Sequence, residues 1–170
     1  MIGHNSWVFK GTVRENLLMG NPTATDAELL DALDNVNLKN FLESQSGLDT
    51  RVESNASNFS GGQKQRLALA SALLHDTPVY IFDEATSNID ADSEEAIMTA
   101  VKQIAKKKTV ILISHRLANV TDSDAIYMLK DGKIIEKGAH HELMGVNGTY
   151  ANLFSEQSEL ENYSRGREEA

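Results

Sequence analysis

Two runs of consecutive apolar residues, Val79-Tyr80-Ile81-Phe82 and Val110-Ile111-Leu112-Ile113, organise the pattern of this chain. Unbroken runs of this length predict strands buried on both faces, since a half-exposed strand would alternate apolar with polar. Between them, the spacing predicts a helix from about Ala91 to Lys106, so that strand, helix and strand form a parallel α/β unit. Upstream, a helix is expected from Gly61 to Leu74, ended by Asp76-Thr77-Pro78, where proline cannot continue it.

The first third reads as short helices and loops. Thr25 with Glu28 three residues on forms a capping box, and Leu29, Leu30 and Leu33 then share a face. A second short helix after Asn37 carries Leu38, Phe41 and Leu42, and from Gly47 to Asn58 the pattern dissolves into a polar loop. Late in the chain, Ala125 to Leu129 and Lys133 to Lys137 flank Asp131-Gly132, a strong hairpin signal. A last helix is expected over roughly Thr149 to Glu161, with Asn162 to Ala170 as a solvated tail.

Composition narrows the function classes. The net charge of −9 argues against non-specific nucleic-acid binding, which needs a cationic face. With no cysteine there is no disulfide framework, thiolate metal site or cysteine nucleophile. No run approaches the roughly 20 apolar residues that span a bilayer, and the first residues lack the pattern of a signal peptide. Any membrane association is expected to come through a partner or another segment.

The densest candidate chemistry is Phe59-Ser60-Gly61-Gly62-Gln63, followed by Lys64-Gln65-Arg66. Ser60 and Gln63 form a second capping box, and the two glycines leave backbone N–H groups approachable at the positive end of a helix dipole. The same residues would serve an ordinary capped helix. Asp83 and Glu84 follow the first apolar run, at the strand end where open α/β sheets bind ligands. Asp83 suits Mg²⁺, a hard ion that prefers oxygen, and Glu84 would then polarise an attacking water. A pair of helix-capping acids is the plainer reading.

Taken together these segments resemble the ABC family. Phe59 to Gln63 resembles its LSGGQ signature with Phe for the first Leu, and Val79 to Glu84 its Walker B strand with the catalytic glutamate. Ser87-Asn88-Ile89-Asp90 resembles the D-loop, and Ser114-His115-Arg116 the switch histidine. Order and spacing match from about residue 2 to residue 155. The resemblance implies an α/β fold: part of a P-loop NTPase with a RecA-like parallel sheet and an α-helical subdomain. It divides the chain into a Q-loop region (1–10), a helical subdomain with the signature (11–75), a RecA-like part with Walker B, D-loop and switch histidine (76–155), and a tail (156–170).

The resemblance also implies roles. Glu84 and His115 would be catalytic, and Asp83 would hold the metal. Ser60, Gly61, Gly62 and Gln63 would face the γ-phosphate of an ATP held by a second ATPase domain, head to tail. Asp90 would join the two domains, though it reads equally well as an N-cap. Segment Trp7 to Asn16 resembles the stretch after the Q-loop of exporter-type transporters, and Gly11 to Asn16 would meet the transmembrane domain. His4, at the nucleotide site, stands where the family has glutamine, a departure that bears on Mg²⁺ coordination. Glu53, Ser54 and Ala56 stand where exporters show glycine, glutamate and glycine. These departures suggest a divergent or asymmetric transporter, such as half of a heterodimer.

The expected activity is ATP hydrolysis with Mg²⁺, powering transport from the cytoplasmic face of a cell membrane, with no nucleic-acid partner. The 170 residues contain no G-x-x-x-x-G-K-[ST] phosphate loop. The expectation is therefore a C-terminal part of the domain that binds ATP poorly by itself and is marginally stable or pairs with other chains. Two alternatives stay open: a non-catalytic interaction module, and a soluble ABC ATPase that is not a transporter. Lys106-Lys107-Lys108 reads as a solvated helix end. His140-His141-Glu142 reads as a surface segment, because adjacent histidines do not share a helix face.

Overall fold

The computed structural model describes residues 2–3, 8–87 and 89–168. It comprises two compact units, Met1–Ile113 and Ser114–Ala170.

The first unit holds β1 (Ile2–Gly3), β2 (Gly11–Thr12), α1 (Val13–Leu18), α2 (Asp26–Asn35), α3 (Lys39–Glu43), β3 (Arg51–Val52), α4 (Gly61–Leu74), β4 (Val79–Asp83), α5 (Ala91–Ala105) and β5 (Thr109–Ile113). Helix α2 starts as its sequence predicts. Thr25 Oγ1 accepts from Glu28 N, and Glu28 Oε2 accepts from Thr25 N at 2.7 Å. Leu29 and Leu33 are fully buried. Helix α1 carries a similar box between Thr12 and Glu15. Segment 47–58, expected as a loop, contains two 3-10 turns and β3, which pairs antiparallel with β2.

Strand β4 pairs in parallel with β1 on one side and β5 on the other, in the order β1-β4-β5. The register sets Tyr80 beside Val110 and Phe82 beside Leu112 on the face that α4 and α5 approach. Tyr80 and Phe82 are buried there. On the opposite face Val79, Ile111 and Ile113 are 45%, 48% and 47% exposed. Burial on both faces, expected from the apolar runs, is thus corrected. Helices cover one side of this sheet, and alternation turns every second apolar residue to the other.

The second unit holds a 3-10 turn (Leu117–Val120), β6 (Ile126–Lys130), β7 (Lys133–Gly138), α6 (His140–Val146) and α7 (Thr149–Glu168). Asp131 and Gly132 both have positive φ, 50° and 74°, as the two-residue hairpin turn between Lys130 and Lys133 requires. Helix α7 continues to Glu168 where the sequence suggested a stop near Glu161, so the expected tail is largely helical. The carboxylate of Glu136 accepts from Tyr150 N and Thr149 N at the start of α7, and these bonds, Tyr150 first, hold it below the usual carboxylate range. His140 Nδ1 lies 2.8 Å from the hydroxyl of buried Tyr150.

Candidate functional site

Helix α4 begins with the reciprocal cap its sequence predicts. Gln63 N donates to Ser60 Oγ at 3.2 Å, and Ser60 N donates to Gln63 Oε1 at 2.9 Å. The cap accounts for two of the four amides that a helix start leaves without intrahelical acceptors, and those of Gly61 and Gly62 are the remainder. Gly61 is exposed, whereas Gly62 is buried.

Gly62 lies against the start of α5. A Cβ there would overlap the hydroxymethyl group of Ser93 and approach Asp90 Oδ2 to 2.9 Å. Asp90 is the N-cap of α5, and its Oδ1 accepts from Ser93 N at 2.8 Å. That bond, then the Ser93 side chain and the charge of Arg66, hold the Asp90 carboxyl below the usual range. The plain N-cap reading of Asp90 is therefore what its geometry displays, and the same geometry fixes it beside the signature glycine. Arg66 donates through Nη1 to Asn37 O at 2.9 Å, joining α4 to the turn between α2 and α3. Its burial pulls its pKa down, while Asp90 and Asp92 oppose that.

Asp83 ends β4, opposite Gly3 of β1 and Ile113 of β5. By alternation its side chain shares the open face with Ile81. Glu84 follows in the left-handed region, φ 51°. A residue with a Cβ pays roughly 1–2 kcal/mol for that conformation. Hydrogen bonds at its backbone hold it: Glu84 N donates to Ile113 O at 3.0 Å, and Ser87 N and Oγ both donate to Glu84 O at 3.0 and 2.9 Å. The chain thus turns sharply at the strand end, and strained non-glycine residues of this kind concentrate at functional sites. Among the described residues no group of three or more His, Cys, Asp or Glu could hold a metal. A Mg²⁺ ion needs only one or two carboxylates when phosphates and waters complete its shell, and Asp83 fits that demand.

Two buried polar residues, named in the sequence only as members of their segments, brace neighbouring backbone. Gln65, buried in α4, donates through Nε2 to Gly3 O at 3.3 Å, beside Asp83. Asn16, also buried, accepts from Phe9 N at 2.7 Å and donates to Phe9 O and Thr12 O. Polar residues inside otherwise apolar packing were the available signal for both. His4 and Asn88 lie outside the described residues.

In the second unit, exposed His115 directly follows Ser114, whose Oγ accepts from Arg116 N at 3.0 Å. The side chain of Gln157 in α7 donates to His115 O at 2.7 Å and accepts from Leu117 N at 2.9 Å.

Before the signature, Asn55 and Ala56 both adopt positive φ, 55° and 48°. A left-handed position suits glycine, which accounts for the glycine the resemblance leads one to expect at residue 56. Here the conformation survives with alanine, supported by Asn58, which accepts from Glu53 N and donates to Arg51 O.

A family model described as ABC transporter matches residues 1–87. An uncharacterized ABC transporter ATP-binding protein of Haemophilus influenzae is 51% identical over 161 residues, which is 95% of this chain and 29% of that protein. A Staphylococcus aureus protein, named provisionally for multidrug export as an ATP-binding/permease protein, is 39% identical over 93% of this chain and 28% of its own length. Among solved structures, a bacterial Atm1-family ABC exporter with ATP bound superposes with a TM-score of 0.83 at 34% identity, covering 92% of this chain and 27% of the other. The chain therefore spans somewhat over a quarter of the relatives it matches. With a family model matched over half its length and the same α/β architecture in an ATP-bound exporter, this chain belongs to the ABC transporter family.

Proposed function

We propose that the chain is the C-terminal part of an exporter-type ATP-binding domain, supplying the hydrolytic residues of one site and the γ-phosphate contacts of another. The observation that carries this reading is the turn at the end of β4, where Glu84 is held left-handed beside Asp83 by Ile113 and Ser87. In it, Glu84 takes a proton from the attacking water, since a carboxylate at a sheet's C-terminal edge is placed for a ligand there. His115 is assigned a γ-phosphate contact on its resemblance to the switch histidine. Ser60, Gly61, Gly62 and Gln63 present the start of α4 to an ATP held by a second ATPase domain, an arrangement supported by two amides outside the cap. Asp90 stands at the junction of the two domains. Asp83 would hold Mg²⁺, which when bound would neutralise phosphate charge.

ATP binding and hydrolysis are proposed for a protein that joins this segment to a lysine-bearing phosphate loop, which the 170 residues do not contain. Among the described residues no helix is long and apolar enough to cross a membrane. Attachment to the cytoplasmic face is thus proposed to run through a transmembrane domain, as the permease naming of a relative supports. A test is ATP-dependent association of the ATP-binding domains. With Glu84→Gln in a protein carrying the phosphate loop, ATP should hold two domains together on size exclusion, and magnesium removal should release them. Absence of any ATP-dependent association would overturn the reading.

A further inference from the structure

We propose that Gln157 is the positioning residue of His115, fixing the backbone that carries the histidine from the C-terminal helix. The proposal deepens the functional reading and rests on His115 acting in hydrolysis. The primary amide of Gln157 is used at both ends: Nε2 donates to His115 O at 2.7 Å, and Oε1 accepts from Leu117 N at 2.9 Å. A carbonyl can only accept and an amide N–H can only donate, so the orientation of the Gln157 amide is determined by its partners. The two bonds bracket Arg116 and clamp residues 115 to 117 to α7, as a neighbouring strand would. Within the loop, Ser114 Oγ accepts from Arg116 N and donates to Arg116 O, each at 3.0 Å. Gln157 attaches this segment to α7 from 42 positions away, so movement of α7 is transmitted to the histidine's main chain.

Two variants separate the bonds. Gln157→Met keeps the length and loses both, whereas Gln157→Glu keeps an acceptor for Leu117 N and loses the donor to His115 O. In the 170-residue chain, exchange of the Leu117 amide should quicken about tenfold or more in Q157M and much less in Q157E. In an ATPase-competent protein carrying these residues, both variants should lower kcat roughly 10- to 100-fold with KM for ATP unchanged. Adding Q157M to His115→Ala should cost nothing further, because Gln157 acts through His115.

A kcat within about twofold of the unmutated protein in Q157M would overturn the proposal, as would full additivity with His115→Ala. If His115→Ala itself leaves turnover intact, the hydrolytic reading of His115 fails and the proposal with it. Exchange at Leu117 would then still report the contact, so the two failures are distinguishable.

Discussion

Gly62 and Ser93 approach so closely that the hydroxymethyl group of Ser93 occupies the space a Cβ on residue 62 would need. The signature glycine is therefore required by packing inside its own chain, whatever a nucleotide demands of it from outside. Within a helix, replacing glycine by alanine ordinarily stabilises by up to about 1 kcal/mol. Here Gly62→Ala is predicted to destabilise by roughly 1–3 kcal/mol, the cost of overpacking a closed site. Ser93→Gly in the same chain should recover most of it. Urea midpoints of the unmutated chain and the two variants check this, and a stabilised Gly62→Ala would refute the contact.

Ala56 offers a contrasting case. A buried alanine in ordinary backbone loses stability on becoming glycine, through lost burial and greater freedom of the unfolded chain. At residue 56, relief of the left-handed conformation, worth roughly 1–2 kcal/mol, opposes both. Ala56→Gly is expected to fall within about 0.5 kcal/mol of neutral, whereas Ala56→Val adds a β-branched side chain at positive φ and should be clearly destabilising. Thermal midpoints distinguish the two.

One contribution to the pH dependence comes from Asp90, whose carboxyl is held below its ordinary range first by Ser93 N. A depressed folded-state pKa gives stability that is present above the unfolded value near 4 and is lost as pH falls through the folded value. Asp90→Asn should therefore weaken the loss of stability between neutral pH and about pH 3. Equal pH profiles for the two proteins would exclude this origin.

The open sheet face predicts self-association. Val79, Ile111 and Ile113 form exposed apolar surface on neighbouring strands, with β5 at the sheet edge. Such surfaces favour pairing. Ile111→Lys should lower concentration-dependent association in sedimentation velocity. Because the side chain is already half exposed, stability should change by no more than about 0.5 kcal/mol.

The parts of the fold that were legible in the sequence are those set by local chemistry. The caps at Thr25 and Ser60 need only a side chain and an amide three residues away, and both helices begin where those residues predict. The Asp131-Gly132 turn is similarly local. What was not legible depends on distant partners. An unbroken apolar run reads the same whether a strand is covered on one face or two, so which of its residues are exposed could not be read from it. Strands of two residues, such as Arg51–Val52, are too short for a period to register. In the candidate site, Asp83, Glu84 and the capped glycines could be named from residue type and order. The left-handed turn at Glu84 could not, because it is imposed by hydrogen bonds to Ile113 and Ser87 on a residue with no preference for it. Nor could the reach of Gln157 to Leu117 across 40 positions.

The most direct test of the central claim is steady-state ATP turnover by an ATPase-competent protein carrying residues 1–170, with Glu84 intact and with Glu84→Gln. Loss of a general base predicts a fall in kcat of about 10²- to 10⁴-fold with ATP binding retained. Turnover unchanged by Glu84→Gln, in a protein that still binds ATP, would contradict the assignment of hydrolysis to the turn at the end of β4.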